Sequence, residues 1–177
     1  MRPVALCIFV IIGLWSAPLR GDDHVILVDD ELDFSTLRTF TIQDVNVTST
    51  HPALDSPVLR RQLRDVMQTA LVARGVTTTS NQPSLIVHCR VRGVDFGVDR
   101  TGRPVEQGRG AGRRQPNPNR SEFIEGILVI DVLRADTREL VWRGVYHDTD
   151  RDPSRVAATL PKHATELLSQ FPGQRKP

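Results

Sequence analysis

The chain has 177 residues, with 23 Lys and Arg against 21 Asp and Glu, and a formal net charge of +2. Arg2 and Arg20 are the only charged residues among the first 21, so residues 22–177 carry 21 basic and 21 acidic side chains and are formally neutral. This balance excludes a general electrostatic argument for nucleic-acid binding, and the length suffices for one domain.

The N-terminus has the layout of a secretory signal peptide. Residues 3–19 contain no charged side chain and lie between Arg2 and Arg20. We expect residues 1–21 to be this signal, cleaved after Gly21, and the remainder to be exported to the periplasm or the outer cell envelope. An uncleaved N-terminal membrane anchor is the alternative, although the apolar run is shorter than the ~20 residues of a spanning helix.

Cysteine usage argues against lipid attachment and against disulfides. Cys7 lies near the start of the apolar run, whereas a lipidated cysteine would follow its end. Membrane association is therefore possible, but we predict no lipidation cysteine for it. Cleavage leaves Cys89 as the only cysteine, and a single thiol cannot form an internal disulfide. Because Cys89 lies in an alternating apolar pattern, we predict a buried rather than a reactive residue.

The first half of the exported part begins with one or two predicted strands. His24–Val28 is a short apolar run, and residues 37–47 place Phe40 and other apolar residues among threonines. Residues 29–34 form an acidic bend between them.

The clearest predicted helix follows. Asp55 or Ser56 provides a cap, Pro57 suits the first helical position and Gly75 stands just past the end. Apolar residues recur every three or four positions opposite a basic face, which predicts an amphipathic helix; the apolar stripe is Leu59, Leu63, Val66, Met67, Ala70 and Leu71.

A strand and a long loop come next. Residues 85–92 alternate between apolar and polar side chains, which predicts a strand with one wet face. The segment 98–120 is too long and too polar for an ordinary hairpin loop, so we predict a mobile loop between two antiparallel strands. Its arginines are the predicted binding residues: Arg100, Arg103, Arg109, Arg113, Arg114 and Arg120.

Residues 126–144 predict a β-hairpin. The run from residue 127 to 133 is rich in β-branched residues, a polar turn follows at residues 135–138, and the second arm alternates around Trp142 and Arg143. Trp142 therefore faces the core, where Phe40 and Phe171 are expected to pack around it, and Arg143 faces the other side. We predict that Gly144 allows a close approach of the backbone.

A second helix is predicted from Asp152 as cap and Pro153 as first residue. Pro161 should kink this helix or divide it, because proline removes a backbone hydrogen bond and crowds the preceding turn. The elements together predict an α+β fold, in which an antiparallel sheet of about four to five strands carries two helices on one face. We expect residues 22–177 to form a single domain.

Several short pieces of the chain share a pattern with one known family: 33–35 with 39–40, 71–75, 83–87, 126–132, 140–144, 167–168 and 171–172. In these pieces the sequence resembles a bacterial envelope family known as domain of unknown function 4136. The resemblance implies an exported, often lipid-anchored small domain with no established activity, and the missing lipidation cysteine departs from that pattern. The matching pieces identify a scaffold, whose predicted structural residues are Phe40, Gly75, Trp142, Gly144 and Phe171.

A metal-dependent enzyme is the alternative to a binding module. Asp148 and Asp150 stand at the spacing of calcium-loop ligands and His147 is adjacent, but Pro153 and Thr159 occupy the positions that need glycine and glutamate. These acids also suit the start of a helix.

We therefore expect an exported non-catalytic envelope protein that acts as a binding or structural module, without a cofactor. The expected partner is an anionic envelope component or an envelope protein; nucleic acid is not expected, because no aromatic side chain interleaves the loop arginines. The alternative is a hydrolase or metal-dependent enzyme that uses His147, Asp148 and Asp150.

Overall fold

The computed structural model describes residues 24–98, 104–105 and 121–173. The predicted signal peptide and nearly all of the 98–120 loop lie outside these residues. Seven strands and two helices are formed: β1 His24–Val28, β2 Thr39–Thr48, α1 Pro57–Ala73, β3 Thr77–Thr78, β4 Leu85–Val98, β5 Pro104–Val105, β6 Ser121–Arg134, β7 Leu140–Asp150 and α2 Pro153–Leu168.

The strands form one mixed sheet in the order β1-β7-β6-β4-β2-β3, with β5 paired to the far end of β4. The α+β class with two helices is as predicted, but a purely antiparallel sheet of four to five strands is wrong. Strand β2 runs parallel to both β3 and β4. The reason is that α1 returns the chain along the sheet between β2 and β4, and a helical crossover joins parallel strands.

Helix α1 begins and ends where its sequence signals lie. Ser56 is the cap, and its hydroxyl accepts a hydrogen bond from the Val58 backbone N–H at 3.2 Å. Asp55, the other candidate, pairs instead with Arg60. Beyond the last turn, Gly75 has a φ of 87°, a left-handed conformation that glycine adopts without a Cβ penalty.

Helix α2 is a single helix with Pro161 inside it, so the proline does not divide it as one alternative had predicted. Asp152 caps its start by accepting from the Ser154 backbone N–H at 2.9 Å. Residues on both sides of the proline, including Leu160 and Ala164, are buried in the same core. This shared burial offsets the one backbone hydrogen bond that proline removes.

Both helices cover the same face of the sheet. A Cβ placed on Gly126 of β6 would lie 2.3 Å from Val156 of α2, and one on Gly144 of β7 would lie 3.2 Å from Leu167 of the same helix. Helix α1 in turn packs against α2 and β2. The core therefore lies between one sheet face and two helices, as predicted.

Four of the five predicted structural residues lie in that core, namely Phe40, Trp142, Gly144 and Phe171. Trp142, Phe40 and Phe171 are all at most 1% exposed, and the rings of Trp142 and Phe171 pack edge to face with centroids 5.7 Å apart. Gly144 lies so close to the indole that a Cβ would come within 2.6 Å of it, which is the close approach that the sequence indicated. Cys89 is buried beside them on β4, and this burial raises the pKa of Cys89 to about 12.

Candidate functional site

The second face of the sheet carries no described helix, and we call it the open face. Side chains alternate along each strand, so the neighbours of core residues point to this side. The register brings four strands together here. The side chains that these strands place on the open face include Val25 and Leu27 of β1, Arg90 and Arg92 of β4, Ile127, Val129 and Asp131 of β6, and Arg143 and Val145 of β7.

Asp131 is the charged centre of the open face. Its carboxylate accepts hydrogen bonds from Arg143 at 2.5 and 3.0 Å and from Arg90 at 2.6 Å. The Asp131 residue is only 6% exposed, whereas the arginine side chains are 33% and 57% exposed. The hydrogen bonds that Arg143 donates to Asp131 raise the pKa of Arg143, so this guanidinium stays charged and is held in place.

A concavity of about 500 Å³ opens beside this ion-paired group. Its wall combines aliphatic side chains with guanidinium groups, and the lining residues are Asn46, Thr48, Arg90, Val91, Arg92, Ile127, Val129, Arg143 and Val145. Arg92 is exposed and forms no ion pair with another described residue. Three arginines against Asp131 leave the concavity with an excess of positive charge.

Exposed aliphatic residues extend the open face to the edge of the sheet. Val25 is 47% exposed and Leu27 is 53% exposed on β1. Strand β1 pairs only with β7 among the described strands, so its outer backbone edge is unpaired there. Val25 and Leu27 thus form an apolar margin beside the basic concavity.

Two histidines border the open face, each with a carboxylate. His88 Nδ1 lies 2.8 Å from Asp44 Oδ1, and His147 Nδ1 lies 3.2 Å from Glu125 Oε1. Both pairs are partly exposed. His147 thus has a local structural partner on the neighbouring strand.

The sequence-based metal candidates His147, Asp148 and Asp150 are not gathered into a site. Successive residues of β7 point to opposite faces, so His147 lies on the open face while Asp148, on the helix side, accepts from the Thr159 hydroxyl at 2.8 Å. Asp150 accepts from the Asp152 backbone N–H at 2.9 Å, and this bond lowers the pKa of Asp150. The two acids therefore lie at the start of α2, in agreement with the alternative prediction that they suit the beginning of a helix.

A different group of potential metal ligands lies on the helix side. His24 of β1, His163 of α2 and Glu166 of α2 each offer a ligand atom, and these atoms lie within 4.8 Å of one another. No other group of three such residues occurs within the described ranges. Burial opposes ionisation of Glu166, but the hydrogen bond and charge of His163, with Lys162, lower its pKa overall.

The six predicted binding arginines, Arg100, Arg103, Arg109, Arg113, Arg114 and Arg120, lie outside the described residues. Their binding role therefore stays a prediction. The arginines that the structure does place at a candidate site are Arg90, Arg92 and Arg143.

Sequence reasoning missed Asp131 and the histidine group, although signals for both existed. Asp131 is the only acid inside the apolar run from residue 127 to 133. His163 follows Val156 by seven positions and Leu160 by three, so it lies on the apolar stripe of α2. A charged or polar residue among apolar neighbours was the available clue in each case.

These features define a class of protein: a small α+β domain whose mixed sheet is covered by helices on one face and has a polar concavity on the other. Residues 25–173 match the family described as "Domain of unknown function (DUF4136)", and the chain belongs to this family. The sequence matches none of the curated proteins. No helix in the described part of the chain is long and apolar enough to cross a membrane.

Several solved structures are similar to this chain at low sequence identity. A PDZ domain protein from Parabacteroides distasonis is similar at 14% identity with a TM-score of 0.53, over 84% of this chain and 35% of that one. A DUF4136 family protein from Bacteroides thetaiotaomicron is 12% identical with a TM-score of 0.49, over 84% and 92% of the two chains. The PelC dodecamer from Paraburkholderia phytofirmans is 12% identical with a TM-score of 0.49, over 88% of this chain and 99% of that one.

Proposed function

We propose that the protein is an exported, non-catalytic module of the periplasm or outer cell envelope that binds another envelope protein through the open face. The observation that carries the proposal is the basic, aliphatic concavity between Arg90, Arg92 and Arg143. The complementary partner surface presents carboxylate groups together with aliphatic side chains. The uncharged run between Arg2 and Arg20 supports export.

The composition of the open face favours a protein partner. Arginine and large apolar residues are enriched in the centres of protein interfaces, where guanidinium groups bind carboxylates in pairs of parallel hydrogen bonds. Arg143 already makes such a paired contact with Asp131, which fixes its orientation before a partner arrives. Preorganisation of this kind lowers the entropy lost on binding.

The shape of the open face argues against a bilayer as the bound surface. A membrane-binding surface presents protruding apolar groups with basic side chains around them. Here the arginines line a concavity, and only Val25 and Leu27 protrude at its margin. A purely anionic polymer is also a poorer match, because Asp131 already neutralises part of the positive charge.

Site-specific photo-crosslinking in the intact bacterium tests this proposal. A photoreactive amino acid replaces Leu27 on the open face or, as a matched control, Val72 on α1, because the two residues are 53% and 51% exposed. We expect a defined protein adduct from position 27 and none from position 72. Equal adducts from both positions, or lipid adducts alone, would refute a protein-binding open face.

Charge variants test the electrostatic part of the same proposal. Arg92→Gln removes an exposed positive charge from the concavity, and Arg61→Gln removes one from the exposed surface of α1. We expect Arg92→Gln to reduce the adduct from position 27 and to lessen its dependence on salt, because a guanidinium–carboxylate contact is lost. Arg61→Gln should leave the adduct unchanged, and equal losses in both variants would contradict the assignment of Arg92.

A further inference from the structure

We propose that His24, His163 and Glu166 form a binding site for one divalent transition-metal ion, with Zn²⁺ the ion of matching chemistry. The site joins the edge strand β1 to helix α2 on the helix side of the sheet. It is separate from the open face and does not depend on the proposed protein binding.

Burial and stacking fix one of the three ligands. His163 is 6% exposed, and its ring stacks on Tyr146 with a centroid distance of 3.7 Å and an interplanar angle of 16°. Its Nδ1 lies 2.7 Å from Glu166 Oε2. The imidazole is therefore held in one orientation with a carboxylate one turn further along α2.

The second histidine comes from a distant part of the chain. His24 pairs with Tyr146 across β1 and β7, which directs its side chain to the same face as Tyr146. The ring centroid of His24 lies 5.7 Å from that of His163 and 5.0 Å from that of Tyr146. Two imidazoles and a carboxylate thus converge around one aromatic ring.

The separations between ligand atoms suit a tetrahedral ion after a small adjustment. Zinc–nitrogen bonds of about 2.05 Å place tetrahedral ligand atoms about 3.3 Å apart, and the three ligand atoms here lie within 4.8 Å of one another. His24 is exposed and Glu166 is half-buried, so both side chains have room to move inward. The ion would lie between His163 Nδ1 and Glu166 Oε2, which are 2.7 Å apart, and the two side chains would move apart to coordinate it.

The donor set distinguishes among metal ions. Two imidazole nitrogens and one carboxylate oxygen are typical zinc ligands and leave a fourth position for water. Calcium and magnesium prefer oxygen ligands, of which this site offers one residue's carboxylate. Binding would fasten the N-terminal strand to α2, because the ligands lie on both elements.

Zinc titration of tag-free, chelator-treated protein by calorimetry tests the site. We expect one zinc ion per chain, with affinity lowered about tenfold or more by His24→Ala and by Glu166→Gln. Both residues are more exposed than His163, so these variants keep the fold. His147→Ala is the matched control, because it removes a histidine from the open face without touching the site.

Three results would overturn the proposal: no zinc bound at millimolar concentration, affinity within about twofold of the wild type in either ligand variant, or an equal loss in His147→Ala. Thermal unfolding gives a second measurement. Zinc should raise the unfolding midpoint of the wild type and leave that of His24→Ala unchanged, because an ion that binds only the folded state stabilises it. Equal shifts in the two proteins would likewise count against the site.

Discussion

Replacing Asp131 by asparagine is expected to weaken the fold while making the open face more positive. Asp131 accepts three hydrogen bonds from two guanidinium groups at 2.5, 2.6 and 3.0 Å. Hydrogen bonds to charged groups contribute about 1.5–3 kcal/mol each. Because the side chains of Arg143 and Arg90 are 33% and 57% exposed, water replaces many of the hydrogen bonds that they lose. We therefore expect the free energy of unfolding to fall by about 1–3 kcal/mol in total.

Urea unfolding measures this loss, and the exposed turn between β6 and β7 offers a matched control. Asp136 also accepts two hydrogen bonds from one arginine, Arg134, at 2.6 and 3.1 Å, but its side chain is 62% exposed. Asp136→Asn should therefore cost less stability than Asp131→Asn. If the two variants lose equal stability, burial does not strengthen the Asp131 contacts and the reasoning is wrong.

Binding gives the same substitution a second, opposite outcome. Asp131→Asn removes the negative charge beside the concavity, so contact with a carboxylate-bearing partner should strengthen even though the domain is less stable. The crosslinking yield from position 27 at a temperature well below unfolding measures this effect. A lower yield would mean that losing the orientation that Asp131 gives to Arg143 weakens binding more than the added positive charge strengthens it.

Three further predictions test the core and the end of α1. Gly144→Ala should cost about 1–3 kcal/mol in urea unfolding, because its Cβ would lie 2.6 Å from Trp142 Cη2. The cost should fall in a Trp142→Phe background, which lacks that atom, and an unchanged cost would locate the clash elsewhere. Gly75→Ala should cost about 1–2 kcal/mol, since the φ of 87° disfavours any Cβ, and no loss would refute strain there. Cys89, whose pKa is raised from 9.0 to about 12, should resist thiol reagents at pH 8 until the protein unfolds. Because the unfolded thiol ionises first, the contribution of Cys89 to stability should decline from pH 9 towards 12, a decline that Cys89→Ala should lack in alkaline unfolding curves.

Local signals were sufficient to predict both helices. The residues that begin and end a helix lie next to it in the sequence, so capping can be predicted without the rest of the fold. These residues are Ser56, Pro57 and Gly75 for α1, and Asp152 and Pro153 for α2. The hairpin was equally accessible, because its turn and both alternating arms are contiguous in the chain.

The sheet was harder to predict because its pairing is non-local. Strands β3 and β5 have two residues each, too few to show any periodicity. The parallel pairing of β2 with β4 depends on how α1 crosses the sheet. The ion-paired group at Asp131 depends on the register of three strands. This register brings Arg90 within hydrogen-bonding distance of Asp131, although the two residues are 41 positions apart in the sequence.

The charges of the open face bear on function because folding alone does not need them. Replacing a buried ion pair by well-packed aliphatic residues is often neutral or stabilising, so aliphatic residues in place of Asp131, Arg90 and Arg143 together would serve the sheet as well. Such a change would join Ile127, Val129 and Val145 into a continuous exposed apolar surface, and surfaces of that kind favour non-specific association. In the proposed function, the ion-paired group at Asp131 keeps the sheet face solvated in the free protein and orients guanidinium groups for a carboxylate-bearing partner.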